Sequence, residues 1–180
     1  SALTITVGTP SKLVFTTQPL GAGAGSVLNT QPVVAIQDNL GNTVTSSSAP
    51  VTLYITPGTG PLGAIALGST TVAAGNGVAT FTDLVINKAG SGYTFMATSP
   101  GLQVSTSMAF NISPGPPVAL YFKAHPGYSS SGVAFSNQPT VAVVDGYGNL
   151  ITTSNISITL SINPDTGTPG AALSGATVVS

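Results

Sequence analysis

The sequence predicts an all-β chain built as tandem β-sandwiches. Three observations carry this expectation. Apolar and polar residues alternate with a period of two over short runs, as half-buried strands require. Glycine and proline, 22 and 14 of the 180 residues, punctuate those runs. The pattern also returns: Gln31-Pro-Val-Val-Ala-Ile-Gln-Asp-Asn-Leu-Gly-Asn42 is matched by Gln138-Pro-Thr-Val-Ala-Val-Val-Asp-Gly-Tyr-Gly-Asn149. Asp38 and Asp145 align at a separation of 145 − 38 = 107, about the length of one sandwich domain.

Taken in order, residues 1–9 alternate Leu3 and Ile5 with Thr4 and Thr6. They resemble residues 108–116, so they read as the final strand of a preceding repeat. Residues 10–116 read as one complete sandwich of about seven strands. These fall near 12–17, 32–38, 50–56, 69–74, 77–86, 92–98 and 105–112. In the repeated stretch Val34 and Ile36 match Val141 and Val143 on one parity, which marks the face turned to a core. Each copy then ends in Asp-x-x-Gly-Asn: Asp38, Gly41 and Asn42, and Asp145, Gly148 and Asn149. Aspartate hydrogen-bonds backbone two residues on, and glycine and asparagine tolerate positive φ, so both sets read as structural turns. Gly21-Ala-Gly-Ala-Gly25 has the glycine content of a phosphate loop without the lysine or the helix, and reads as a flexible loop. Tyr93 follows Asn87-Lys-Ala-Gly-Ser-Gly92, where a sandwich keeps a tyrosine corner; a plain core aromatic is the competing reading.

Ser113-Pro-Gly-Pro-Pro117 is the linker, and its proline density favours a stiff, extended joint. Residues 117–180 repeat only the early strands, with Leu120 and Phe122 in the places of Leu13 and Phe15. Alone they would leave an apolar face and open edges uncovered. The sequence is therefore expected to continue past Ser180 into something like Asn76-Gly-Val-Ala-Thr-Phe81, or to be completed by a neighbouring copy.

Composition narrows the role. Charged residues are 4% of the chain, with no Arg and no Glu, and the net charge is −1. This leaves no basic footprint for nucleic acid. No run approaches the length of a membrane helix, so no membrane insertion is expected in this segment. Serine and threonine, roughly a quarter of the residues against ordinary usage, must supply solubility. Cysteine is absent, which removes disulfides and thiolate chemistry.

No constellation for catalysis emerges, and no cofactor is expected. His125 is the only histidine; it precedes Pro126 and aligns with Gln18, as a polar turn residue would. A nucleophile needs a base and an orienting partner, and one turn histidine supplies neither set. The four aspartates are scattered. Calcium at Asp38, Asn39 and Asn42, or at Asp145 and Asn149, would have one carboxylate per loop where calcium wants several, so turn capping is preferred. Asn111-Ile-Ser113 and Asn155-Ile-Ser157 match the glycosylation sequon, with Asn111 on the outward parity of its strand.

The ordered set Leu-x-Phe, Gln-Pro-x-Val-x-Val-x-Asp-x-x-Gly-Asn, Asn76-Gly-Val-Ala-Thr-Phe81 and Gly92-Tyr-Thr-Phe-Met-Ala-Thr98 resembles bacterial immunoglobulin-like repeats. It is similar to the invasin and intimin type found in tandem on surface proteins. The resemblance covers essentially the whole chain. It implies tandem immunoglobulin-like β-sandwiches without catalytic residues, extracellular or on a cell surface, used as a stalk or a self-assembling fibre. Expected partners are copies of the chain, head-to-tail or lateral, and glycans. The alternative is an adhesin or a carbohydrate- or receptor-binding module of a larger secreted protein.

Overall fold

A computed structural model describes residues 6–179 of the chain. The described residues contain strands and turns and no helix. The first segment, residues 10–116, carries β1 (Lys12–Thr17), β2 (Val33–Gln37), β3 (Pro50–Ile55), β4 (Ala66–Leu67), β5 (Thr71–Ala73), β6 (Val78–Thr80), β7 (Val85–Ile86), β8 (Gly90–Tyr93), β9 (Phe95–Thr98), β10 (Ser105–Thr106) and β11 (Phe110–Ile112). The second carries β12 (Pro117–Ala124), β13 (Thr140–Asp145), β14 (Ile158–Thr159) and β15 (Val178–Val179).

Two larger sheets form in the first segment, with strand orders β1-β2-β6 and β10-β9-β3-β5. Small ladders β8–β11 and β4–β7 complete it. Alternation decides what each strand buries. Leu13 and Phe15 of β1 and Val34 and Ile36 of β2 point to the same core as Val51 and Leu53 of β3 and Phe95 and Ala97 of β9. Both sheets thus share one apolar interior, a sandwich-like packing. Tyr93, Phe95 and Phe110 meet within it, with ring centroids 5.8 and 5.2 Å apart across the two contacts with Phe110, separations in the range that aromatic pairs favour.

The strands are more numerous and shorter than the sequence suggests. The expected strand 77–86 is two, β6 and β7; between them the Leu84 carbonyl accepts the Leu28 N–H, and the Gln31 side chain takes the place of a continuous ladder. Gln31 Nε2 donates to the Leu84 carbonyl at 3.0 Å, and the Leu84 N–H donates to Gln31 Oε1 at 3.1 Å. The expected strand 105–112 breaks at Ser107, whose hydroxyl accepts the Phe95 N–H at 2.9 Å. The strand expected at residues 1–9 lies partly outside the described residues, and Thr6–Thr9 carry no ladder.

The Gly21–Gly25 stretch is a packed segment, which corrects the flexible-loop expectation. The Ala24 N–H donates to the Ser113 carbonyl at 2.8 Å, and the Ser113 N–H donates to the Ala22 carbonyl at 3.1 Å. A Cβ at Gly21 would lie 1.6 Å from the Asn111 carbonyl oxygen. The glycine is there to let two backbones touch.

The β12–β13 pairing repeats the first segment's register: Leu120 faces Val143 and Phe122 faces Val141, as Leu13 faces Ile36 and Phe15 faces Val34. Burial does not repeat. Leu120 and Phe122 are 52% and 43% exposed, against 3% and 7% for Leu13 and Phe15.

Candidate functional site: the repeated turn and its joint

The two Asp-x-x-Gly-Asn turns fold alike. Asp38 Oδ1 accepts the N–H groups of Leu40 and Asn42 at 3.0 and 2.8 Å. Asp145 Oδ1 accepts those of Tyr147 and Asn149, both at 2.9 Å. Gly41 and Gly148 hold φ of 91° and 74°, a region costly for a residue with a Cβ. The second carboxylate oxygen reaches back in each case. Asp38 Oδ2 accepts the Gly8 N–H at 3.0 Å, and Asp145 Oδ2 accepts the Gly115 N–H at 2.8 Å. Gly8 and Gly115 are themselves 115 − 8 = 107 residues apart. Each turn therefore grips the stretch that leads into its own segment.

Both aspartates are buried, and hydrogen bonds decide their ionisation. The Asn42 side chain, then the backbone N–H groups of Asn42 and Gly8, hold Asp38 below the usual aspartate value, at about 2. At Asp145 burial is the largest single influence and pushes upward. The Asn149 side chain and the backbone N–H groups of Gly115, Asn149 and Tyr147 together outweigh it, and its value is lowered. Each carboxylate accepts three backbone N–H groups and an asparagine amide, and so caps its turn.

The second turn does more than cap. Asn149 Nδ2 donates to Asp145 Oδ2 at 2.8 Å and to the Asn87 carbonyl at 2.9 Å. Asn149 Oδ1 accepts the Ala89 N–H at 3.0 Å. Lys88 Nζ donates to the Tyr147 carbonyl at 2.9 Å. The Tyr147 ring lies over Gly25, where a Cβ would come within 2.4 Å of the ring. A turn of the second segment is thus docked on the Asn87–Ala89 loop of the first, with Asn149 buried at the contact.

Tyr93 holds that loop from beneath. Its hydroxyl donates to the Lys88 carbonyl at 2.7 Å, the bond to upstream backbone that defines a tyrosine corner. Asn87 Oδ1 accepts the Ile65 N–H at 2.8 Å and secures the other side. The sequence marked Asp145 and Asn149 as a turn and missed their reach to the loop. No local pattern signals that reach, because the Ala89 N–H lies 60 residues from Asn149 in the sequence.

The remaining candidates stay apart. Asn111 is exposed on β11 and its Oδ1 accepts the Gly92 N–H at 2.9 Å. Asn155 is exposed in the second segment. The His125 ring stacks on Phe122 with centroids 5.3 Å apart. Asp83 lies below its usual value because the Ser69 N–H and hydroxyl donate to it. Among the described residues no three of His, Cys, Asp or Glu gather as metal ligands, and no helix is long and apolar enough to cross a membrane.

No family model matches the chain, and no curated protein matches it. Among solved structures it is similar to a Parabacteroides merdae β-glucuronidase with glycerol in its active site. The identity is 22% and the TM-score 0.40, over 62% of this chain and 13% of the glucuronidase. The chain therefore spans about an eighth of that protein's length, and so faint a likeness assigns it no role.

Proposed function

We propose that the chain is a structural extracellular protein. Its tandem immunoglobulin-like repeats form a cell-surface stalk or a self-assembling fibre, and it is not an enzyme. The observation that carries this is the joint. Linked domains ordinarily move against each other unless something fixes them. Here a proline-rich linker is gripped by Asp145, and the following turn is bonded to the preceding segment through Asn149 and Lys88. Polar side chains spent on fixing one unit to the next suit a spacer, which must transmit position and load. The resemblance to bacterial surface repeats supports the same reading, and the low charge favours associating copies over an isolated stalk. The partners are further copies of the chain, with glycans on its hydroxyl-rich faces.

Electron microscopy and sedimentation of native material test this. Elongated particles or filaments are expected. Compact monomers that bind a glycan or a receptor would replace the stalk with the adhesin.

A further inference from the structure

The two turns are chemically alike, yet only one is docked. Asn149 is buried and uses both its amide protons and its carbonyl oxygen. Asn42 is exposed. Its Nδ2 reaches only Asp38, at 3.0 and 3.3 Å to the two carboxylate oxygens, and among the described residues nothing donates to its Oδ1. Leu40, the counterpart of Tyr147, is 88% exposed where Tyr147 is 42% exposed. Yet Gly8 already sits on Asp38 as Gly115 sits on Asp145. The lead-in has arrived in its docked place.

We propose that the face formed by Leu40, Gly41 and Asn42 is a docking surface for a second copy of residues 10–116, placed directly ahead of Pro10. That copy presents its Asn87 carbonyl and Ala89 N–H to Asn42, its Lys88 ammonium to the Leu40 carbonyl, and its Gly25 to the Leu40 side chain. The order in the chain follows from occupancy. In an intact copy the Asn87–Ala89 loop is already taken by that copy's own Asn149. A free loop comes only from a unit whose next neighbour is the segment being docked. The inference rests on the tandem-stalk reading and names the contact through which that array is extended.

The test replaces residues 1–9 of the full chain by a further copy of residues 10–116, so that Pro116 of the added unit precedes Pro10. Hydrogen exchange of the asparagine side-chain amides is then followed by NMR. Asn149, docked in both chains, is the reference for the original joint, and protection of the added unit's Phe95 N–H, bonded to Ser107, confirms that this unit folds. The Asn42 amide is expected to slow about tenfold or more, toward Asn149. Lys88→Ala in the added copy alone, at a half-buried side chain outside the core, should return part of that protection. Asn42 exchanging at its original rate while Asn149 stays protected would overturn the proposal. The two readings fail separately. A protected Asn42 with compact, ligand-binding native material leaves the joint and removes the stalk. An open Asn42 with filamentous native material does the reverse.

Discussion

At the residue scale the two aspartates carry the account. Asp38 titrates at about 2 in the folded chain against an ordinary 3.8. Its folded value is the lower one, so its stabilisation is complete above the unfolded value and is lost as pH falls through the folded one. Asp145 is lowered in the same direction. Thermal melts should therefore hold steady from neutral pH down to about 5 and then fall steeply between about 4 and 2. Asp38→Asn, which cannot accept the same set of N–H groups, should be less stable at neutral pH and show a shallower acid limb. An unchanged acid limb would contradict the capping role. Tyr93→Phe is the matching test beneath the joint. It leaves the Lys88 carbonyl without its hydroxyl partner and should cost about 1–3 kcal/mol by urea unfolding.

At the element scale, side chains stand in for ladders. Gln31 brackets Leu84 with two bonds, so its amide acts as a third strand's peptide group would. Gln31→Ala should cost about 1–3 kcal/mol in denaturant unfolding, because it strips a partner from buried backbone. Gly21→Ala is expected to be as damaging, at about 1–3 kcal/mol, through the clash with the Asn111 carbonyl. Both positions show where the sequence could be read and where it could not. Alternation placed β1, β2 and β3 nearly to the residue, since burial of Leu13, Phe15, Val34 and Ile36 needs period two and nothing else. It overran at 77–86 because Gln31 is 53 residues from Leu84, and no local pattern signals such a partner. It misread Gly21–Gly25 because glycine marks a loose turn and a tight backbone contact in the same way. Asp38 and Asp145 were legible as caps. Their reach to Gly8, Gly115 and the Asn87–Ala89 loop depends on a neighbour that only the fold supplies.

At the scale of the whole molecule, an apolar face lies open on the second segment and few charges surround it. Leu120 and Phe122 expose what Leu13 and Phe15 bury. With a net charge of −1 there is little repulsion to keep copies apart. Self-association of the chain should therefore be nearly insensitive to ionic strength, and Phe122→Ser should weaken it. Sedimentation velocity from low to high salt checks both expectations. An association that collapses in salt would point to the few charged side chains instead.

The Asp145–Asn149 turn fixes one unit to the next. Backbone nitrogen-15 relaxation of the full chain, compared with Asn149→Ala, tests it most directly. Residues 12–112 and 117–145 of the unaltered chain are expected to report one common tumbling time. In the variant the two segments should separate into two times, while each keeps its own folded spectrum. Two independent tumbling times in the unaltered chain would contradict it.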